Sequence, residues 1–412
     1  MEQAPSPGSS TRRPTIGESF SPRHNSLNFL RLVLALLVLA DHSVGLGGFT
    51  YNLTVNQTSI ATIAVFGFFG ISGYLIAGSA VRNRPGRYLW QRFLRIFPGF
   101  WVCLLVTAFL FGVVNYLVQP APLCGLSCYF HSTTGPFEYL YRNWLLPNPA
   151  LVQFRISGTP NSVPYDAVWN GSVWTLFYEF LCYLGLLALA LAGGLRRRAV
   201  TLGVTVGLWA LIVVITLTPR LSKQFTLTHH SFFMNLFKFA VVFLVGALIY
   251  LYRERIPDSG WLALACTALF FAGLLLPNGH DHHGAMRNPL YFFTDSFILV
   301  PLIAYSLIWL GIHLPFQKLG ARNDYSYGIY IYAYPIGQLM ALAEVQSWGY
   351  PAYLAATVAA TVPLAVASWW LVEKHALRLK KVDARALAQR IVTPSGAAPV
   401  DRAPVPVEGA DP

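Results

Sequence analysis

Arg31 and His42 lie eleven residues apart inside the first apolar stretch of the chain, where an ionisable side chain is costly and is by default a candidate for function. On a helix, eleven residues bring a side chain back to within about 20° of its starting direction and advance it about 16 Å. One groove therefore sees both groups at different depths. A guanidinium can hold phosphate or carboxylate, and an imidazole can take up and return a proton near neutral pH. The spacing suits a long bound molecule.

Other stretches add chemistry of the same kind. Phe68-Phe69-Gly70-Ile71-Ser72-Gly73-Tyr74-Leu75 places a hydroxyl at Ser72 beside helix-spaced glycines, counting Gly67, a pattern that also serves close helix packing. Trp90-Gln91-Arg92-Phe93-Leu94-Arg95 sets two guanidiniums three residues apart, neighbours on one helical face that could clamp phosphates or meet lipid headgroups. Asn170-Gly171-Ser172-Val173-Trp174-Thr175-Leu176-Phe177-Tyr178-Glu179 carries a carboxylate about two turns into its apolar stretch, against about one turn for His42. At such similar depths Glu179 could fix the imidazole tautomer and stabilise the imidazolium, or form a structural ion pair. Asp41 points about 100° away from His42 on the helix and is the weaker orienter. Ser72, Asn170 and Tyr74 are candidate donors to a developing oxyanion.

The elements that must position these groups follow from composition. Of 412 residues, 55% are hydrophobic and 11% charged, which excludes an ordinary soluble domain and defines a polytopic membrane protein. Ten apolar stretches are expected to span as helices: Leu27 to Leu46, Ile60 to Ala80, Phe97 to Val118, Val173 to Ala192, Ala199 to Leu217, Phe232 to Tyr252, Trp261 to Leu276, Tyr291 to Ile312, Tyr325 to Ala343 and Tyr353 to Val372. No alternating pattern of barrel strands competes, so the fold class is an all-α membrane bundle. Lys and Arg concentrate before Leu27, between Arg82 and Arg95, at Arg196 to Arg198, at Arg253 and Arg255, at Lys318 and Arg322, and after Val372. The positive-inside rule puts those segments, and both termini, in the cytoplasm. The formal charge of +12 then lies along cytoplasmic edges, facing anionic lipid and anionic ligands, with no nucleic-acid-binding motif beside it. Residues 1–26 read as a leader without a cleavage site, 27–374 as the membrane domain and 375–412 as an Ala, Pro and Val tail expected to be disordered.

Remaining signals are weaker. Cys103, Cys182 and Cys266 fall in expected helices as small hydrophobes, while Cys124 and Cys128 share the long loop before Val173, where a local disulfide could form. That loop, at about fifty residues, exceeds an ordinary connector and is expected to cap an outward-facing cavity. His280, Asp281, His282 and His283 crowd a loop without structural zinc spacing, so no metal is expected. The tyrosines from Tyr325 to Tyr334 suit packing or interface anchoring, Lys238, Asp295 and Glu344 sit near helix ends, and Asn52, Asn56 and Asn170 match a glycosylation sequon too short to weigh.

Taken in order, these motifs resemble the acyltransferase 3 family, integral-membrane enzymes that move acyl groups, usually acetyl from acetyl-CoA, onto bacterial surface glycans. The resemblance runs from about Leu27 to Lys374. It rests on the spacing of Arg31 and His42, on Ser72-Gly73-Tyr74-Leu75, similar to the family's Ser-Gly-Phe-Leu, on Arg92 and Arg95, on Asn170 to Glu179, and on Ser326-Tyr327-Gly328-Ile329-Tyr330 leading to Pro335. The chain departs from the family with Ala333-Tyr334 in place of Trp-His before the proline, a single acidic residue at Glu179-Phe180, and Glu373-Lys374-His375 for Glu-Lys-Pro.

The resemblance implies a bacterial inner-membrane enzyme with His42 and Glu179 as catalytic residues. Arg31, Arg92, Arg95 and Ser72 would serve the acetyl-CoA donor, and Asn170, Trp174 and Tyr74 a glycan or glycolipid acceptor. The competing class is a transporter or flippase for a glycan intermediate, using Arg31, His42 and Glu179 as a relay; no internal repeat supports it. A structural scaffold would leave the membrane-embedded charges unexplained.

Overall fold

The computed structural model describes residues 13–55, 58–118, 125–218, 232–275, 299–320 and 323–381. Short α1 (Ile16–Ser19) precedes α2 (Leu27–Leu46), an antiparallel pair of β1 (Thr54–Val55) and β2 (Thr58–Ser59), α3 (Ile60–Arg82) and α4 (Pro85–Val106). A π turn over Thr107–Phe111 leads into α5 (Gly112–Val118), followed by α6 (Gly125–His131) and α7 (Pro136–Asn143). Next come α8 (Trp174–Leu191), α9 (Arg198–Leu217), α10 (Phe232–Leu251), α11 (Gly260–Leu274), α12 (Val300–His313) and α13 (Ser326–Leu342). Last is α14 (Tyr350–Ser368), joined through a π turn at Trp369–Glu373 to α15 (Lys374–Arg378).

Seven helical runs among the described residues are long and apolar enough to cross a membrane: Leu27–Leu46, Ile60–Arg82, Pro85–Val118, Trp174–Leu191, Arg198–Ile215, Phe232–Leu251 and Tyr350–Arg378. The other three expected spans come out shorter: α11 has 15 residues, α12 has 14 and α13 has 17. The beginning of the expected Tyr291 to Ile312 span lies outside the described residues, as do His280, Asp281, His282, His283, Asp295 and Cys124.

The centre of the bundle is α3, packed against α10 and α2. A Cβ on Gly73 would lie 1.9 Å from the Phe243 carbonyl oxygen, and one on Gly246 would lie 2.0 Å from that of Gly70. Here the glycine pattern serves backbone contact between helices, and small residues are what allow it.

The long segment before α8 is folded. The indole of Trp169 is fully buried and donates to Thr159 Oγ1 at 2.8 Å, and Gln338 on α13 donates to the carbonyls of Tyr165 and Val168 at 2.8 and 2.7 Å. These bonds satisfy loop carbonyls that burial would otherwise strand. Cys128 is disulfide-bonded, whereas Cys103, Cys182 and Cys266 are free.

Both terminal segments pack onto the bundle where they are described. Thr15 and Glu18 form a reciprocal capping box. Ile16 is fully buried, and the N–H groups of Ile16 and Gly17 donate to Ile256 and Arg253 at 3.0 Å, so residues 13–26 are part of the bundle. At the other end, helix and turn continue to Lys381, and Trp90 Nε1 donates to the Leu379 carbonyl at 3.1 Å. That bond folds the first residues of the expected tail back onto α4.

Candidate functional site

A largely buried charged cluster gathers residues from α2, from α4, from just before α13 and from the turn after α14. Arg31 Nη1 and Arg95 Nη2 both donate to Asp324 Oδ2, at 3.1 and 2.5 Å, and Arg95 Nη1 lies 4.0 Å from Glu373 Oε2. Asp324 precedes α13 and is fixed there by the Ser326 hydroxyl and N–H, which donate to its other oxygen at 2.5 and 3.2 Å. Burial opposes its charge, but Arg95, Arg31 and Ser326 outweigh burial and hold the carboxyl well below the usual carboxylate range.

Arg92 is held differently. Its guanidinium lies over the rings of Tyr183 and Tyr88, at 5.7 and 6.0 Å. Nε of Arg92 and Nε of Arg31 are buried and make no hydrogen bond among the described residues, which marks donors reserved for something else. Lys380 comes into the same neighbourhood from the chain's end. Desolvation first, then Arg95 and Arg92, push its pKa down to about 8.

Glu179 is engaged on its own helix and on α3. Tyr183, one turn along α8, and Ser72 both donate to its Oε1, the latter at 3.3 Å. Glu179 lines a small cavity of about 40 Å³ with Arg31, Phe68, Ser326, Tyr327 and Tyr330. His42 lies in the adjoining cavity, of about 420 Å³, with Asp41, Ser59, Thr62, Trp174, Asn235 and Lys238 among its walls. Val65, Thr175 and Tyr330 line both. The Tyr330 hydroxyl is fixed at this neck, 2.5 Å from Thr175 Oγ1 and 3.0 Å from the Ser172 carbonyl, to which it donates.

The expected meeting of Glu179 and His42 therefore does not occur: equal depth on two helices did not fix their facing, and Glu179 is turned toward Ser72 and Tyr183. Asp41, whose carboxylate accepts from Ser59 at 3.0 Å, is the acid that shares the histidine's cavity. The imidazole packs edge-on against Tyr334, with ring centroids 5.2 Å apart. Trp174 lines the His42 cavity, whereas Asn170 is spent on scaffolding, donating to the Ile331 carbonyl at 2.8 Å and accepting from Ser172 N–H. Tyr74 faces a separate cavity. Sequence reasoning missed Asp324, Glu373, Tyr183 and Lys380. Only Tyr183 had a readable signal, its four-residue spacing from Glu179.

An open guanidinium donor of Arg31 in one of two adjoining cavities and an imidazole in the other fit a membrane-embedded transferase. A family model described as an acyltransferase domain matches residues 24–370, and the chain belongs to the acyltransferase 3 family. It is 26% identical over 360 residues to an O-acetyl transferase of Shigella phage Sf6, covering 86% of this chain and 96% of that one. It is 28% identical over 385 residues to nodulation protein 10 of Rhizobium leguminosarum bv. viciae, covering 88% and 96%. No solved structure matches.

Proposed function

We propose that this acyltransferase moves an acetyl group from acetyl-CoA to a hydroxyl of a cell-surface polysaccharide or glycolipid, working across a bacterial inner membrane with ten spans and both termini in the cytoplasm. The observation that carries the reading is the pair of cavities sharing Val65, Thr175 and Tyr330, one reaching Arg31 and the other His42. Donor phosphates at the basic end would take the open donors of Arg92 and Arg31, with Arg95 held in place by Asp324. The pantetheine arm would run along α2 past Tyr330, bringing the thioester beside His42.

In this mechanism His42 accepts the proton of the acceptor hydroxyl as that oxygen bonds to the thioester carbon. The C–S bond then breaks, and the departing thiolate takes the proton from the imidazolium. General-base catalysis of this kind contributes about 10²- to 10⁴-fold in rate. The nearby charge of Asp41 stabilises the imidazolium, and Trp174, with the hydroxyls of Ser59 and Thr62, suits a sugar face in the same cavity.

The test is label transfer from radiolabelled acetyl-CoA in membranes holding wild-type protein or His42→Ala, with native glycan extract as acceptor. Base-labile glycan label that appears with wild type only supports the reading. Equal labelling by both proteins assigns the base elsewhere, and no labelling by either moves weight to another donor or acceptor, or to transport.

A further inference from the structure

A third cavity, of about 250 Å³, has walls that include Phe20 of the N-terminal segment, Tyr74 and Arg82 of α3, Tyr250 of α10, and Arg253 and Glu254 just after it. It shares no lining residue with the two cavities of the proposed reaction path. We propose that this cavity is a binding site for a phosphate group, a phosphodiester of a lipid headgroup or a phosphate of a soluble nucleotide.

Three observations converge on that chemistry. Tyr74 is fully buried, and among the described residues its hydroxyl has no hydrogen-bond partner. An unsatisfied buried hydroxyl costs about 1–3 kcal/mol, and phenylalanine would fill the same space without that cost. The ring is locked by its neighbours, edge-on to Phe20 at 5.0 Å and to Tyr250 at 5.7 Å, so the hydroxyl is held where it is.

Two guanidiniums frame the same space. Arg82 Nη1 donates to the Tyr250 hydroxyl at 3.1 Å, and the Arg253 guanidinium lies 4.2 Å over the Tyr250 ring. Glu254, the single acid of the wall among the described residues, accepts from Arg253 Nε at 3.0 Å. The lining thus carries one net positive charge together with one buried donor, a set that matches a phosphate oxygen better than a neutral ligand.

The site is also built, because the N-terminal segment closes it. The capping box at Thr15 and the backbone bonds from Ile16 and Gly17 to Ile256 and Arg253 dock that segment against the end of α10. A Cβ on Gly17 would lie 2.6 Å from the Glu254 carboxylate, so glycine here is what lets the segment approach. Phe20 then becomes one wall of the cavity.

The experiment uses the full chain in detergent, titrated separately with phosphatidylglycerol, diacylglycerol and adenosine 3′,5′-bisphosphate and read by native mass spectrometry. Wild type should retain phosphatidylglycerol or the bisphosphate in preference to diacylglycerol, which lacks the phosphate. Tyr74→Phe and Arg253→Gln should each weaken that binding about tenfold, the scale of one hydrogen bond to a charged group, while the double variant Arg196→Gln and Arg197→Gln, basic residues outside the cavity, binds as wild type does. Loss confined to the lipid identifies a headgroup, and loss confined to the bisphosphate identifies a soluble phosphate. Binding of both probes unchanged by Tyr74→Phe, or no preference over diacylglycerol, overturns the proposal.

Discussion

Arg31 and Asp324, 293 residues apart in the chain, meet at 3.1 Å, and the carboxylate oxygen they share also takes Arg95 at 2.5 Å. One acid thus sets the positions of two of the three arginines assigned to the donor. Removing its charge while keeping its shape, as in Asp324→Asn, leaves two buried guanidiniums without their common partner. A loss of roughly 3–5 kcal/mol is expected from breaking a buried pair in this way, read as a lower melting temperature in detergent. A variant as stable as wild type would refute the structural role.

The pH dependence of that contribution has a definite sign. The carboxyl sits below its unfolded value, so its stabilisation is fully present above the ordinary aspartate range near 3.9. It is lost only as pH falls through the lower folded value. The Asp324 carboxyl itself should therefore add no slope to the wild-type stability profile between pH 5 and 7.

Lys380 gives a different profile. With its pKa pushed down to about 8, it loses its charge just above neutrality, and a phosphate-bearing donor loses an attraction with it. The KM for acetyl-CoA should rise between pH 7.5 and 9 in wild type, and should be higher but nearly independent of pH in Lys380→Met. For the unliganded protein the folded state releases this proton before the unfolded state does, so stability should increase from pH 8 toward the unfolded lysine value near 10.4. A wild-type KM that does not move with pH would show that Lys380 does not attract the proposed donor.

How much of this was legible depended on sequence distance. The α2 period placed Arg31 and His42 along one path, and the glycines of α3 announced close packing, because both signals repeat within one helix. Arg92 and Arg95 were readable as neighbours, yet one stacks on tyrosines and the other pairs with Asp324. Tyr88 stands four residues before Arg92 on α4 itself, but Tyr183 comes from α8 and Asp324 from just before α13, which no local pattern specifies. Asp324 and Glu373 lie hundreds of residues from the arginines they serve, and the facing of Glu179 depended on how α8 turns against α3. The docking of residues 13–26 was hidden for a simpler reason: one buried isoleucine and a capping box are too short a signal in a polar leader.

The contact between α3 and α10 makes a sharp mutational contrast. A methyl at Gly73 would lie 1.9 Å from a backbone oxygen, whereas one at Gly185 on α8 meets nothing within 4 Å among the described residues. Gly73→Ala should destabilise by about 1–3 kcal/mol, as overpacking does, and Gly185→Ala should not. Detergent melting curves of the two variants decide it. Equal curves would mean that the two helices can separate freely at this point.

The neck at Val65, Thr175 and Tyr330 should control which acyl groups pass. Tyr330→Phe deletes the bonds to Thr175 and the Ser172 carbonyl but keeps the ring, so it should cost about 1 kcal/mol of stability and leave acyl preference unchanged. Val65→Ala removes bulk from the wall that both cavities share. A pocket distinguishes one methylene by about 10- to 200-fold, and relieving a contact of that kind should raise the ratio of kcat/KM for butyryl-CoA over acetyl-CoA by about tenfold. The comparison separates width from hydrogen bonding at a single constriction. If Val65→Ala leaves the ratio where it was while Tyr330→Phe shifts it, the thioester is selected by the tyrosine hydroxyl and not by the bore of the neck.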